Sequence, residues 1–227
     1  MAADAQRVLA LVPMKPLEDA KSRLGPDVPA RTRAAVAAAM FERVLGAAVT
    51  ALGPDGCWVI GGDGVIQGIA EEAEASWRAE RGKDLNGTLW FAMQDAYRDG
   101  YQAALFLPSD VPQASAEDIR AVASRLSEGR PAGVRAERDG GTNALLMPAP
   151  CAFAPLLGPD SFARHSEASE RQGTPLIAVE APGLARDVDS TEDLAWAYQN
   201  VDGFREAVAG WEARLCDAPS ARGALER

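Results

Sequence analysis

The chain has 227 residues, of which 47% are hydrophobic, and it carries a formal net charge of −10. The length allows one large domain or two small ones, with enough apolar residues for a sizeable core. The acidic balance argues against general binding to nucleic acid. We expect neither a membrane span nor a signal peptide, because the sequence contains no long apolar run and its first residues lack a basic segment. The spacing of Cys57, Cys151 and Cys216 fits no metal motif, which favours reduced thiols in a cytoplasmic protein.

Short apolar runs alternate with stretches of helical periodicity along the chain. The apolar runs predict strands at residues 8–14, 57–60, 103–107, 132–135, 143–147 and 176–179. The periodic stretches predict helices at residues 30–48, 65–75, 87–99, 116–126, 161–172, 191–200 and 203–215. Such alternation is typical of βαβ units and a mostly parallel sheet. We therefore expect one α/β domain over residues 1–215, with helices on both faces of the sheet, and a flexible tail over 216–227.

A cluster of cations follows the first predicted strand. Lys15, Lys21 and Arg23 lie within the nine residues 15–23 of this acidic chain. One interpretation is an ordinary surface loop whose charges lie on a solvated face. The other is an anion site, because ligands of open parallel sheets bind beyond the carboxyl ends of the strands.

Carboxylates follow other predicted strands at the same edge of the sheet. Asp110 comes directly after the buried run ALFL, and Asp187 and Asp189 precede the helix that begins in DSTEDL. Each of them could simply begin a turn or cap a helix. Magnesium, however, takes one or two carboxylates together with substrate phosphates. Asp110 with Asp187 or Asp189 could therefore hold a metal ion across the sheet edge.

The segment RDGGTNALLM contains two glycines followed by Thr142 and Asn143. Two adjacent glycines let the backbone approach a ligand closely, but they are equally typical of an ordinary hairpin turn. Both interpretations stay open from the sequence.

The segment GPDSFARH predicts a helix start, with Gly158 and Ser161 at its beginning. Backbone N–H groups at such a start bind phosphate or carboxylate. Arg164 and His165 could face the same anion. His165 is the only histidine, and without a partnered Ser or Cys motif it makes a hydrolase triad improbable.

The segment KDLNGTLW predicts another helix start at Asn86 and Gly87. Asn86 could cap this helix or bind a base or ribose with its amide. The chain lacks both the P-loop pattern and the GxGxxG pattern, which argues against a P-loop kinase and a nicotinamide dehydrogenase.

The ordered set VPMKPLEDAKSRL, LPSDVP, GGTNALLM, GPDSFARH and RDVDSTEDL resembles one family. It is similar to the guanylyltransferases that make the activated lactyl precursor of coenzyme F(420), namely 2-phospho-L-lactate guanylyltransferase and its phosphoenolpyruvate-using relatives. The resemblance covers roughly residues 7–200. It implies a nucleotidyltransferase with a Rossmann-like sheet of the GT-A type, and it implies GTP, Mg²⁺ and a phosphorylated three-carbon acid as partners. The acid's phosphate would attack the α-phosphorus of GTP, and pyrophosphate would leave.

The resemblance also implies roles for particular residues. The residues expected to support catalysis at the phosphates are Lys15, Lys21, Arg23 and Asp110. The residues expected to bind the nucleotide are Pro13, Lys15, Lys21, Arg23, Asn86 and Gly87. The residues expected to bind the acid are Thr142, Asn143, Gly158, Ser161 and Arg164. The expected metal ligands are Asp110, Asp187 and Asp189.

Two departures from related sequences affect these expectations. The loop after the first strand is rich in Lys and Arg where many nucleotidyltransferases have glycines, so side chains would hold the phosphates. Asn143 stands where some members have a second Thr. The choice among phosphoenolpyruvate, 2-phospho-L-lactate and 3-phospho-D-glycerate therefore stays open, since one side chain can decide it.

Other functions compete with this one. The chain could be a nucleotidyltransferase with another acceptor, such as a molybdopterin or a sugar phosphate. It could be a metal-dependent GT-A glycosyltransferase, or a regulator that binds GTP without turnover. Beyond GTP and the acid, we expect a downstream transferase of the same pathway as a partner and no nucleic acid or membrane, and a homodimer is one of the open oligomeric states.

Overall fold

The computed structural model describes residues 7–217, which form one α/β domain around a seven-stranded sheet. The strands are β1 (Val8–Met14), β2 (Cys57–Gly61), β3 (Ser76–Arg78), β4 (Ala103–Phe106), β5 (Ala132–Arg135), β6 (Thr142–Pro148) and β7 (Ile177–Ala178). The helices are α1 (Ala30–Leu52), α2 (Gly64–Glu72), α3 (Leu85–Arg98), α4 (Ala116–Ala123), α5 (Ser161–Arg171), α6 (Pro182–Ala185), α7 (Thr191–Asn200) and α8 (Phe204–Asp217). The tail predicted at 216–227 lies outside the described residues from 218 onward, and its first two residues belong to α8.

The strand order is β3-β2-β1-β4-β6-β5-β7, and β6 is the one strand that runs antiparallel to its neighbours among the described residues. The prediction of a mostly parallel sheet is confirmed. The chain continues from β1 to β2 and β3 on one side and returns as β4 on the other side of β1. The strand order therefore reverses beside β1, and a crevice opens at the carboxyl ends of the strands there. The antiparallel β6 begins at this same edge, since Phe106 pairs with Leu145.

Helices cover both faces of the sheet, as the sequence predicted. Along β1, Ala10 and Val12 enter the core shared with α1, α4 and α8, whereas Leu9 and Leu11 pack against α3 on the opposite face. This alternation is the two-residue periodicity of a strand with both faces buried. Helix α1 is long and apolar enough to cross a bilayer, but its apolar side chains, such as Phe41, are buried in the core.

Several element boundaries differ from the sequence predictions. The helix predicted at 65–75 ends at Glu72, because the chain turns at Glu74, which has a φ of 56°, and enters β3. The sequence analysis missed β3, a three-residue strand whose outer residues are exposed. The helix predicted at 116–126 ends at Ala123 and continues as the 3₁₀ turn Ser124–Glu128.

Candidate active site

A cleft of roughly 670 Å³ lies beyond the carboxyl ends of β1, β2 and β4. This is the position where the strand order predicts a ligand site. Six of the residues that the sequence analysis selected line the cleft, namely Pro13, Lys15, Lys21, Arg23, Asp110 and Asp189. These six residues form one wall of the cleft, and the roles predicted for them stay predictions.

The cation-bearing loop after β1 is held in a defined shape. It forms two 3₁₀ turns, Leu17–Asp19 and Ser22–Leu24, and Leu24 is buried in the core. The Leu17 N–H donates to Oδ2 of Asp63 at 2.7 Å, while Oδ1 of the same carboxylate caps α2. The loop is thus attached to the start of α2 through its backbone, in addition to any contacts that its cations make.

Lys21 is a buried structural cation of this cleft. Its side chain is only 10% exposed, and its Nζ donates to Asp110 Oδ2 at 2.8 Å, to the Val188 carbonyl at 2.6 Å and to Asp189 Oδ1 at 3.2 Å. Burial alone would lower the pKa of Lys21, but Asp110 and Asp189 outweigh it and raise that pKa. The interpretation of this loop as an ordinary surface loop with solvated charges is wrong for Lys21, because its ammonium group is buried and paired with two carboxylates.

Arg23 and Lys15 differ from Lys21. The Arg23 guanidinium is 80% exposed and contacts Asp189 Oδ2 at 3.2 Å, and Lys15 is exposed at the wall of the cleft. Both cations can therefore reach an anion that enters from solvent. Asp189 does not cap α7, as one interpretation had it, because Ser190 is the cap and Asp193 completes the capping box.

Asp187 lies next to these carboxylates, because the Val188 N–H donates to the Asp110 carbonyl at 3.0 Å. Its Oδ1 accepts a hydrogen bond from Asn143 Nδ2 at 3.3 Å. Burial and the nearby Asp110 carboxylate raise the pKa of Asp187. A carboxylate whose ionisation is disfavoured by a neighbouring carboxylate would be stabilised in its charged form by a divalent cation.

The carboxylates of this edge are the type of ligand that magnesium prefers. The three predicted ligands, however, are not arranged as a metal site. Within residues 7–217, no group of three or more His, Cys, Asp or Glu side chains is arranged to hold a metal ion. Asp110 and Asp189 are instead bridged by Lys21. Metal binding by Asp110, Asp187 and Asp189 stays a prediction.

On the far side of β4, a neutral hydrogen-bonded network joins β6 to α5. The Leu156 N–H donates to Nε2 of His165 at 2.8 Å, so Nδ1 carries the ring hydrogen and donates to Thr142 Oγ1 at 3.0 Å. Ser161 Oγ lies 3.0 Å from the same Thr142 oxygen. Burial, with a smaller contribution from Arg164, lowers the pKa of His165 to about 4. The expectation that His165 faces an anion is wrong, because the ring is neutral and fully buried.

The glycine-containing loop is the turn of the hairpin formed by β5 and β6, so the hairpin interpretation is correct. The loop also holds the start of α5, since the Phe162 N–H donates to the Gly140 carbonyl at 3.1 Å. The Ser161 N–H donates to the Gly158 carbonyl, also at 3.1 Å. These two N–H groups already have acceptors, so an acid bound here would depend more on the Thr142 and Ser161 hydroxyl groups than the sequence suggested.

Arg164 and Asn86 both hold the segment before α5. The Arg164 guanidinium donates to the carbonyls of Pro159 at 2.6 Å and Leu156 at 2.9 Å. The Asn86 amide pairs with the backbone of Leu157, accepting at 2.7 Å and donating at 3.3 Å. Both side chains are therefore hydrogen-bonded to the protein backbone. The binding roles expected of Arg164 and Asn86 stay predictions.

Asn86 is not the cap of α3. That cap is Asp84, whose Oδ1 accepts from the Gly87 N–H at 2.8 Å. Neither Asn86 nor Gly87 lines the cleft, whereas their neighbours Asp84, Leu85 and Thr88 do. The sequence analysis missed this wall, which follows the undetected strand β3 and includes Glu80 and Lys83.

A mostly parallel sheet with a charged cleft beside its first strand is typical of Rossmann-like folds, which bind ligands at this edge. The family model described as "Guanylyl transferase CofC like" matches residues 8–198, and the chain belongs to this family. Its relatives include proteins named phosphoenolpyruvate guanylyltransferase. The one from Roseiflexus castenholzii is 36% identical over 190 residues, covering 84% of this chain and 87% of its own. The one from Conexibacter woesei is 33% identical over 223 residues, covering 96% and 95%.

Solved structures share the fold at low sequence identity. A protein from Desulfovibrio desulfuricans G20, described as a nucleotide-diphospho-sugar transferase, has a TM-score of 0.74 at 19% identity and covers 97% of both chains. The 4-diphosphocytidyl-2C-methyl-D-erythritol synthase of Anaerococcus prevotii has a TM-score of 0.55 at 12% identity, covering 86% of this chain and 98% of its own. The fold and the family together establish that the chain is an enzyme, a nucleotidyltransferase, as the sequence predicted.

Proposed function

We propose that this enzyme transfers a guanylyl group from GTP to phosphoenolpyruvate and releases pyrophosphate. The observation that carries the proposal is the cleft, in which exposed cations and the carboxylate Asp110 meet at the carboxyl ends of β1 and β4. The acid would lie on the other side of β4, near Thr142 and Ser161, whose hydroxyl groups would have to exchange the hydrogen bond that they share in order to bind it. The relatives named phosphoenolpyruvate guanylyltransferase support the choice of the guanylyl group and of the acceptor.

The chemistry is a substitution at phosphorus. A phosphate oxygen of phosphoenolpyruvate forms a bond to the α-phosphorus of GTP. The bond from that phosphorus to the oxygen bridging the α- and β-phosphates breaks, and pyrophosphate leaves with the electron pair. Such a reaction requires positioning and charge neutralisation rather than a covalent nucleophile, which agrees with a cleft lined by Lys, Arg and Asp side chains.

Individual residues would divide this work. Lys15 and Arg23, which are exposed at the cleft, would bind the β- and γ-phosphates and the leaving pyrophosphate. Lys21 would hold Asp110 in position through the 2.8 Å contact described above. Asp110 and Asp187, with Asp189, would hold Mg²⁺, which supplies positive charge to the phosphate oxygens.

We place the reaction in the cytoplasmic biosynthesis of coenzyme F(420), with a downstream transferase as the consumer of the product. The three cysteines are free thiols in the structure, which agrees with a reducing compartment. The acceptors 2-phospho-L-lactate and 3-phospho-D-glycerate are the alternatives to phosphoenolpyruvate. All three acids carry a carboxylate and a phosphate on a three-carbon chain, and they differ in a double bond, a methyl group or the position of a hydroxyl group, which a single side chain can distinguish.

A pyrophosphate-release assay with GTP and each of the three acids tests the proposal. We expect turnover with phosphoenolpyruvate and a guanylylated product that mass spectrometry identifies. Turnover with a sugar phosphate alone would favour another acceptor class. Binding of GTP without release of pyrophosphate for any acceptor would favour a regulator, and transfer of a sugar from a nucleotide sugar would favour a glycosyltransferase.

A further inference from the structure

The cleft has a second end, two strands away from Asp110. The strand order places β1 next to β4 and β2 beyond β1. Neighbouring strands lie about 4.8 Å apart, so the end of β2 is roughly 10 Å from the end of β4. The wall at this end comes from β2, from the loop after β3 and from the start of α3, and it consists of Ile60, Glu80, Lys83, Asp84, Leu85 and Thr88.

This end suits the base of a nucleotide whose α-phosphate lies near Asp110, an arrangement that rests on the proposed function. The phosphate end is fixed by Lys15, Arg23 and Asp110, so the sugar and the base extend toward β2. Ile60 and Leu85 offer apolar contacts to the base there. Leu85 lines the cleft and is 43% exposed, which leaves apolar area that a ligand can cover.

Glu80 is directed into this end of the cleft. The hydroxyl group of Thr88, a residue that is 2% exposed, donates to Glu80 Oε1 at 3.1 Å. A Cβ at Gly61 would lie 3.4 Å from Glu80 Oε2 and only 2.8 Å from the Met14 carbonyl, so the glycine leaves the space that the carboxylate occupies. Asp84, the other carboxylate of this wall, already caps α3.

We propose that Glu80 selects guanine by accepting hydrogen bonds from its N1–H and 2-amino groups. Lys83, on the same wall, can donate to the O6 and N7 acceptors of the base, as Lys commonly does with guanine. Adenine presents an acceptor at N1 and a donor at its 6-amino group, so it would place a lone pair against the carboxylate and a donor against the ammonium. A site with this arrangement rejects the wrong base because its polar groups lose their partners.

Equilibrium binding and turnover of three nucleotides test the proposal. GTP has both donors, inosine triphosphate lacks the 2-amino group, and ATP lacks both the N1–H and the 2-amino group. For the wild-type enzyme, we expect affinity to fall in that order. For Glu80→Gln, we expect a loss of roughly 10- to 100-fold for GTP, since a hydrogen bond to a charged group is lost, and a smaller loss for inosine triphosphate. The preference for GTP over ATP should shrink with it.

Two matched variants give this test its controls. Glu72→Gln removes an exposed carboxylate on α2 outside the cleft and should leave all three affinities unchanged. Thr88→Val removes the hydroxyl group that orients Glu80, and it should reduce the preference for GTP in the same direction by a smaller factor. The melting temperature of Glu80→Gln should stay near that of the wild type, because Glu80 is exposed.

The outcomes separate this proposal from the proposed function. Dissociation constants are measured without an acid, so base selection is tested even if no acid is turned over. An enzyme that turns over GTP while Glu80→Gln keeps the wild-type preference among the three nucleotides would overturn the role of Glu80 alone. A wild-type enzyme that binds ATP as tightly as GTP would overturn it as well.

Discussion

The polar side chains on the two sides of β4 are held by different kinds of interaction. On the side of β1, Lys21 and the carboxylates Asp110 and Asp189 form a charged cluster at the wall of an open cleft. On the side of β6, Thr142 and His165 form a neutral network that is almost completely removed from solvent. The first depends on charge, whereas the second depends on the direction of each hydrogen bond.

This difference suggests different behaviour when substrates bind. Asp110 and Asp189 are partly exposed and already neutralised by Lys21, so a nucleotide and its metal would have to exchange partners within the cluster. In the neutral network only the hydroxyl groups of Thr142 and Ser161 would exchange partners with an acid, and no charge is separated when they do so. We therefore expect substitutions on the β1 side to affect turnover most, and substitutions on the β6 side to affect stability and acid binding.

The largest expected effect is the loss of a predicted metal ligand. Asp110→Asn and Asp187→Asn should each lower kcat/KM for GTP by about 100-fold or more, because a charged ligand and its contribution to transition-state stabilisation are lost. Pyrophosphate release at several magnesium concentrations measures this. Near-normal turnover of both variants at low millimolar magnesium would contradict the metal assignment.

For Asp187→Asn, we expect stability and activity to change in opposite directions. The pKa of Asp187 is raised in the fold, so the unfolded chain ionises more readily and this residue's contribution to stability is lost as pH rises through the folded pKa. Asp187→Asn should therefore keep or raise the melting temperature above that pKa while it removes activity. Asp189→Asn serves as the comparison and should reduce turnover less.

The three cations should give the next largest effects on turnover. Their effects on stability should differ, because Lys21 is buried and the other two are exposed. Lys15→Ala, Lys21→Ala and Arg23→Ala should each lower kcat/KM for GTP by roughly 10- to 100-fold, the range expected for one charge-assisted hydrogen bond. Arg23→Lys should restore activity only partly, since Lys lacks the bidentate fork.

Melting temperatures separate Lys21 from the other two cations. Lys21→Ala leaves Asp110 and Asp189 without their shared cation, which should cost about 1–3 kcal/mol of unfolding free energy. Lys15→Ala and Arg23→Ala should change it by less than about 0.5 kcal/mol, because both side chains are exposed. Equal stability of all three variants would contradict the structural role of Lys21, and wild-type kinetics in all three would remove these cations from the nucleotide site.

Much of the fold could be predicted because its signals are local. Strand β1 and helix α7 have the predicted ends, since a buried strand is a continuous apolar run and Ser190 is a recognisable cap. Strand β3 could not be predicted in this way. It has three residues, lies at the edge of the sheet and is half exposed, so it carries no apolar periodicity.

The omission of β3 had a direct consequence for the site. Functional residues are expected at the ends of strands, so without β3 no role was predicted for Glu80 or Lys83. In the segment KDLNGTLW, which begins at Lys83, a role was predicted only for Asn86 and Gly87. The burial of Lys21 was equally hidden, because it depends on a contact with Asp189, 168 residues away in the sequence. The sequence shows which residue types follow each strand, but not how their charges pair in space.

The neutral network should respond to its histidine mainly through stability. His165→Phe leaves the Leu156 N–H and the Thr142 hydroxyl group without this partner, which should cost about 1–3 kcal/mol per unsatisfied group. The KM for the acid should rise while the KM for GTP stays near wild type. Ser166→Ala on the same helix, whose hydroxyl group bonds only to the Phe162 carbonyl, should change the free energy of unfolding by less than about 1 kcal/mol.

The pH dependence of stability tests the same side chain. The pKa of His165 is lowered from 6.5 to about 4, so the unfolded chain binds the proton first as pH falls. The contribution of the neutral ring is therefore complete above pH 6.5 and is lost as pH falls toward 4. Denaturant unfolding between these two pH values should show a decline for the wild type that is smaller for His165→Phe. Identical declines for both proteins would show that the ring is not the group responsible.

The smallest effects should come from the side chains nearest to the proposed acid. Ser161→Ala and Asn143→Ala should raise KM for the acid by about three- to tenfold, the loss expected for one neutral hydrogen bond, and should raise KM for GTP less. Because Asn143 donates to Asp187, Asn143→Ala should also weaken the response to magnesium, whereas Ser161→Ala should not. If Asn143 takes part in choosing the acid, Asn143→Thr should change the order of kcat/KM among the three candidate acids. Equal changes in KM for both substrates would place these residues outside an acid site and leave them as supports of β6 and α5.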